Sequence, residues 1–198
     1  MAANTYLTPE ERTLLESVRV GIAGAGGLGS NCAMHLVRSG VKHITIADFD
    51  VVNESNLNRQ FFFRDQLGQK KVVALKDNLL RIEPDADIRA VDIRLDASSA
   101  REIFADCGIV VEAFDAVDAK VMLVSAFASS GRKLVTASGL AGWGRSNAMK
   151  VRKMGNIVAI GDGETSVGDG AAPVSPRVGI AAAMQANSVV AMLLEKEL

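Results

Sequence analysis

Cysteine occurs only twice in 198 residues, at Cys32 and Cys107. Two thiols so far apart form no Cys-x-x-Cys pair, so neither a structural zinc site nor a disulfide framework is expected. This usage fits a reducing compartment, and the expected location is cytoplasmic. An excess of either charge is missing as well: 22 Lys and Arg stand against 23 Asp and Glu, for a net charge of −1. Without a basic excess there is no electrostatic footprint for nucleic acid and no polybasic patch for a membrane surface. Long apolar runs are absent too. The most apolar stretch, Val178 to Leu194, is interrupted by Gln185, Asn187 and Ser188 and reads as a buried helix, not a membrane span. The first six residues lack the cationic start and apolar core of a signal peptide. With only His35 and His43 available, no Ser-His-Asp or Cys-His set stands out. What is present is a chain that is 48% hydrophobic and long enough to bury one substantial core, which predicts a single domain over residues 1–198.

Periodicity divides the chain into alternating strands and helices. Thr8-Pro9-Glu10-Glu11 carries a helix start, with Thr as cap, Pro in the first turn and acids beside the helix dipole, so residues 1–17 form an N-terminal helical segment. Val18 to Ala23 is a short apolar run suited to a buried parallel strand. Gly24-Ala25-Gly26-Gly27-Leu28-Gly29 follows it, then a helix to Arg38 ending at Ser39-Gly40, then a strand over His43 to Ala47. Further helices are predicted over Lys70–Arg81, Ser98–Ala105, Lys120–Ser129 and Val178–Glu195. Further strands are predicted over Asp87–Ile93, Gly108–Phe114 and Lys133–Ser138. Two late runs, Ser146–Lys153 and Asn156–Ile160, flank Met154-Gly155 and read as a hairpin. Gly161 to Pro176 has no periodicity and reads as a long crossover-type loop, which in a compact domain is usually functional. The fold class is therefore α/β: a doubly wound, Rossmann-like, mainly parallel sheet with an antiparallel C-terminal extension.

The glycine loop between a strand and a helix is a nucleotide cradle: Gly26 and Gly27 let backbone approach a ligand, and Gly29 allows close helix–strand packing. A dinucleotide pyrophosphate is largely satisfied by backbone N–H groups and a helix N-terminus. The residues behind this loop answer a more anionic ligand. Asp48, with Asp50 beside it, sits where a carboxylate meets ribose hydroxyls. Arg59 follows Ser55, Asn56 and Asn58 and precedes Gln60, polar groups able to bond phosphate or orient the guanidinium. Lys71 begins a helix, where the dipole disfavours a cation that has no anionic partner. Asp115, at the end of a buried strand, is a candidate magnesium ligand, since that ion is commonly held by one or two carboxylates plus phosphate oxygens. Glu112, inside the strand, is expected to pair with a neighbouring base. ATP with Mg2+ fits this set. A nicotinamide-dependent Rossmann oxidoreductase is the alternative, and it leaves Arg59, Lys71 and Asp115 without a role. Trp143 reads equally as the lining of a groove or as filler at a core edge.

Together these residues resemble the ThiF/MoeB group of adenylyltransferases, relatives of the ubiquitin-activating enzymes. The resemblance rests on Gly24 to Ser30, Asp48-Phe49-Asp50, Ser55-Asn56-Leu57-Asn58-Arg59-Gln60, Gly68-Gln69-Lys70-Lys71, Asp115, and Ala172-Pro173 through Gln185-Ala186. Gly139 to Gly144 and Phe61-Phe62-Phe63 look typical of its short ThiF branch, which acts on the sulfur carrier ThiS in thiamine biosynthesis. The likeness implies a homodimer that adenylylates the C-terminal Gly-Gly carboxylate of a ubiquitin-fold carrier and releases pyrophosphate. By position it implies that Asp48 meets ribose, that Asn56, Arg59 and Lys71 meet the phosphates, and that Asp115 meets magnesium. The same chemistry on another acceptor, a molybdopterin carrier or a tRNA base, is the alternative within the group. Three family features are missing: the paired Cys-x-x-Cys zinc motifs, a cysteine in the crossover loop, and a recognisable N-terminal Arg-x-x-Arg-Gln segment, for which Arg12 is a stand-in.

Overall fold

The apolar run behind the first helix becomes an interior strand of a seven-stranded sheet. The computed structural model describes residues 6–128, 130–166 and 170–198. Its strands are β1 (Arg19–Ala23), β2 (His43–Asp48), β3 (Asp87–Asp92), β4 (Ile109–Glu112), β5 (Lys133–Ala137), β6 (Lys150–Met154) and β7 (Ile157–Gly161). Its α-helices are α1 (Pro9–Ser17), α2 (Gly27–Arg38), α3 (Lys71–Leu80), α4 (Ala97–Ile103), α5 (Val117–Ala128) and α6 (Ser175–Leu193). The sheet order is β3-β2-β1-β4-β5-β7-β6; every neighbouring pair is parallel except β6 with β7. This is the expected doubly wound sheet with its antiparallel extension. No described helix is long and apolar enough to cross a membrane.

Period-2 alternation divides the strands between two cores, except for β6, which is exposed along its length. Val20 and Ile22 of β1, with Ile109 and Val111 of β4, face α2, α3 and α6; Ala23 and Val110 face α4 and α5. The alternation puts Gly21 on the second face, where a Cβ would stand 2.6 Å from the Phe104 ring. The chain winds outward from β1 to β3, then returns to the centre and pairs β4 with β1. The β1/β4 seam is thus the point where winding reverses, and ligands of open α/β sheets bind outside the carboxyl ends of strands at such a point.

Several ends differ from the periodicity. The 146–148 stretch is a 3-10 turn entered through Arg145 at φ 49°, so β6 starts only at Lys150. Helix α6 begins at Ser175, with Pro176 in its first turn, where a missing N–H costs nothing. Helix α5 starts three residues ahead of the predicted Lys120. The hairpin at Met154-Gly155 forms, with Gly155 at φ 61°. The expected crossover loop shrinks at both ends, since Gly161 closes β7 and Ser175 opens α6; its residues 167–169, like residues 1–5 of the N-terminal segment, lie outside the described residues.

Candidate active site

The loop after β1 is shaped by what its glycines exclude. Gly24 turns at φ 102° and donates its N–H to Ala47 O at 2.8 Å, binding the end of β1 to that of β2. A Cβ on Gly29 would lie 1.8 Å from Gly24 O, so only glycine lets α2 start this close to the strand. Gly26 caps α2, and a Cβ there would meet nothing nearer than Gln60 Nε2 at 3.9 Å. Gly27 differs: its side-chain position is filled by Val178 at 2.9 Å and Arg59 at 3.5 Å, so its bareness serves packing of α6 and of the Arg59 loop.

Asp48, the last residue of β2, accepts Ala25 N at 2.6 Å and Asp50 N at 2.8 Å, one bond on each carboxylate oxygen. It therefore ties the glycine loop to the strand end. Each oxygen keeps a lone pair, so bonds from ribose hydroxyls remain possible. Asp50 continues the chain of contacts: its carboxylate takes Lys71 Nζ at 2.8 Å and its carbonyl takes Lys71 N at 2.9 Å. Lys71 is 6% exposed at the first position of α3. The anion that its position calls for is supplied by Asp50. Lys70 points elsewhere, to Asp92 at 3.1 Å and Phe49 O at 3.3 Å.

The 53–60 loop presents Arg59. Asn56 Oδ1 accepts Asn53 N at 3.0 Å and closes a 3-10 turn over Glu54–Asn56. Arg59 Nη1 donates to Ser55 O at 3.1 Å and Asn58 Oδ1 at 2.8 Å, which orients the guanidinium while no carboxylate neutralises it among the described residues. Two α2 residues that position this loop escape a reading for charged ligands. Asn31 Nδ2 bonds both Gly27 O at 2.7 Å and Arg59 O at 2.9 Å; Ser30 Oγ bonds Gly26 O at 2.6 Å and accepts Phe61 N at 3.0 Å. Their only sequence signal is two polar residues inside an otherwise apolar helix turn. Gln60 is buried beside Gly26, and its Oε1 has no hydrogen-bond partner among the described residues.

Asp115 lies exposed just past β4, on the carboxyl side of the winding reversal. Among the described residues no group of three or more His, Cys, Asp or Glu could cage a metal. A lone carboxylate suits magnesium that arrives with a nucleotide and keeps waters and phosphate oxygens. The structure thus brings the glycine loop, Asp48, Asp50, Lys71 and Arg59 into one connected set, and places Asp115 on the adjoining strand end.

Other candidates fall away from this edge. Cys32 is fully buried in α2, and burial pushes its thiol up to about 12; burial first, then the Asp106 charge, pushes Cys107 up to about 11. Thiolate is the reactive form, so neither residue suits covalent chemistry. His35 is depressed by burial and by Arg38, and His43 belongs to an ion-pair cluster with Arg19 and Asp87 at the opposite ends of the strands. Trp143 is 73% exposed, so it fills no core edge. A hollow of about 710 Å³ is lined by Lys133, Lys153, Asn156 and the last residues of the chain; no candidate site residue borders it.

The ThiF family matches residues 3–198. The adenylyltransferase and sulfurtransferase UBA4 of Eremothecium gossypii is 35% identical over 127 residues, 64% of this chain and 29% of that protein. The molybdopterin-synthase adenylyltransferase of Escherichia coli is 38% identical over 104 residues, 52% of this chain and 42% of that protein. The chain spans less than half the length of either relative. Among solved structures, the E. coli tRNA N6-threonylcarbamoyladenosine dehydratase TcdA in complex with ATP superposes with a TM-score of 0.81. That match has 20% identity and covers 96% of this chain and 92% of the other.

Proposed function

The chain belongs to the ThiF family, and we propose that it uses ATP to adenylylate the C-terminal Gly-Gly carboxylate of a small ubiquitin-fold sulfur carrier. The observation that carries this reading is the connected set at the carboxyl edge of the sheet. A glycine cradle and Asp48 suit a nucleoside, Arg59 and Lys71 suit phosphates, and an exposed Asp115 lies beside them. In the proposed reaction a carrier carboxylate oxygen bonds the α-phosphorus while the bond from that phosphorus to the β-bridging oxygen breaks. Pyrophosphate leaves and an acyl-adenylate remains. The attacking carboxylate is already ionised at neutral pH, so no protein base has to remove a proton. Two anions must meet, and the chain's task is neutralisation and alignment. Arg59, already oriented by Ser55 and Asn58, offers its free N–H groups to phosphate oxygens. Lys71 exchanges or shares Asp50 for the incoming phosphates. Magnesium bound with the nucleotide would supply further charge neutralisation, and Asp115 is the carboxylate that would hold it.

The proposed assembly is a homodimer in the cytoplasm. Which carrier is used turns on finer features. The Gly139–Gly144 and Phe61–Phe63 segments favour a ThiS-like carrier of thiamine biosynthesis, whereas the likeness to the E. coli molybdopterin-synthase adenylyltransferase favours a molybdopterin-synthase carrier. A tRNA acceptor draws support from the TcdA likeness in fold and is opposed by the net charge of −1. The test is mass spectrometry of acid-quenched mixtures of the protein, Mg-ATP and each candidate acceptor. An AMP adduct on an intact carrier, absent from the same carrier lacking its last glycine, supports the reading. Adduct formation on tRNA alone, or tight binding of NAD with no ATP turnover, would replace it.

A further inference from the structure

Glu112 is a carboxylate at the last position of a fully buried strand, with none of its surface exposed. An isolated charge there would be prohibitive, and buried ion pairs as a whole can often be replaced by well-packed hydrophobic residues without loss of stability. Its surroundings account for it. Period 2 puts Glu112 on the α4/α5 face of β4, and the β4–β5 ladder runs only to the pair Val111↔Val135. One step further on, side chains replace the backbone ladder. Glu112 Oε2 accepts Thr136 Oγ1 at 2.5 Å, and Lys120 Nζ reaches both carboxylate oxygens at 3.0 and 3.1 Å. Lys120 also donates to Ala137 O at 3.1 Å. On the other face Gln185 of α6 donates to Glu112 O at 2.9 Å.

The remaining bond gives this cluster a direction. Glu112 Oε1 accepts Phe114 N at 2.7 Å, so the carboxylate folds forward over its own strand end and holds the Ala113–Phe114 peptide, one peptide ahead of Asp115. Lys120, eight residues on in α5, holds the carboxylate from the far side of the same turn. Asp115 is therefore carried on a turn clamped at its entry by Glu112 and at its exit by Lys120, with β5 and α6 as anchors.

We infer that Glu112 and Lys120 are positioning residues for Asp115: the ion pair between buried Glu112 and half-buried Lys120 sets the direction of an exposed carboxylate that would otherwise swing with its turn. This rests on the reading of Asp115 as a magnesium ligand. Groups behind a ligand commonly carry about 10- to 100-fold in metal affinity. The test is binding of Mn2+ to the protein with a non-hydrolysable ATP analogue, followed by loss of the free Mn2+ paramagnetic signal, beside binding of the analogue alone in EDTA. Glu112→Gln is expected to weaken Mn2+ binding by about 10- to 100-fold while analogue binding in EDTA stays as in wild type. Lys120→Arg, which keeps the pair, is expected to retain wild-type Mn2+ affinity. Should Glu112→Gln fail to fold, Thr136→Val removes a single bond and is expected to shift Mn2+ affinity in the same direction by a smaller factor. Unchanged Mn2+ affinity in folded Glu112→Gln or, failing that, Thr136→Val, or equal loss of metal and analogue binding, would overturn the inference. Asp115→Asn run in parallel separates the two layers. If it weakens Mn2+ and Glu112→Gln does not, only the positioning role falls; if it leaves Mn2+ affinity intact, the ligand assignment falls and the positioning role with it.

Discussion

Replacing Lys71 by methionine separates a phosphate ligand from a structural ion pair, because the two roles predict costs of different size. Lys71 stands at the first position of α3, where the helix dipole puts partial positive charge, and its ammonium is offset by Asp50 at 2.8 Å. Methionine keeps most of the buried stem. Asp50 is 47% exposed and can be resolvated once its partner is gone, so the lost pair costs at most about 1 kcal/mol. Removing a cation from a helix start returns about 0.3–1 kcal/mol. The two nearly cancel, and folding free energy is expected to stay within about 1 kcal/mol of wild type. Loss of a charge contact to the reacting phosphates is larger, about 3–4 kcal/mol, or roughly 10²- to 10³-fold in rate. Pyrophosphate exchange with a Gly-Gly carrier measures the rate, and urea denaturation followed by circular dichroism measures the folding term. A folded Lys71→Met protein exchanging within threefold of wild type would refute the phosphate role. Destabilisation of several kcal/mol with a proportional activity loss would make Lys71 structural.

Further outcomes are expected elsewhere in the chain. Gly29→Ala places a methyl 1.8 Å from Gly24 O, so the cradle must open; nucleotide binding is expected to be lost along with about 1–3 kcal/mol of stability, which calorimetry and denaturation would show. Both thiols are expected to resist a disulfide reagent at pH 8 in native protein and to react fully in denaturant, and Cys32→Ala with Cys107→Ala is expected to leave pyrophosphate exchange intact. The Asp162–Arg177 pair is buried on both sides, so Asp162→Asn is expected to cost about 3–5 kcal/mol by denaturation. Burial pushes Asp162 up, but the Thr165 and Glu164 N–H groups, the Thr165 hydroxyl and Arg177 outweigh it and hold the carboxyl below the usual range. Its stabilisation is therefore complete above pH 3.8 and fades as pH falls through the lower folded value; the variant should show a shallower acid limb.

Much of this architecture was legible because local signals and burial agree. The β1–loop–α2–β2 unit, the parallel β4 and β5 and the Met154-Gly155 hairpin each combine an apolar run with glycine punctuation. Signals failed where one residue had two meanings. Pro176 read as loop although it sits in the first turn of α6, and the polar start of 146–153 hid a 3-10 turn. At the site, Asp48, Arg59, Lys71 and Asp115 were legible as charges in a nucleotide context. Their supports were not. Lys71 gains Asp50 through an isolated antiparallel bridge between Val51 and Lys70, and Asn31 meets Arg59 O only when α2 packs on the 53–60 loop. Glu112 was expected to find a base nearby; Lys120 supplies it, but Thr136 and Gln185 arrive from strands and helices that only the tertiary fold brings near.

The central claim, attack of a carboxylate on the α-phosphorus of ATP, is tested most directly by isotope transfer. A carrier whose terminal carboxylate holds 18O is incubated with the protein and Mg-ATP, and the product is cleaved with hydroxylamine at the carbonyl carbon. If the carboxylate oxygen bridges to the α-phosphorus, the released AMP carries one 18O and pyrophosphate forms in equal amount. Unlabelled AMP, or ADP with phosphate in place of AMP with pyrophosphate, would contradict the account.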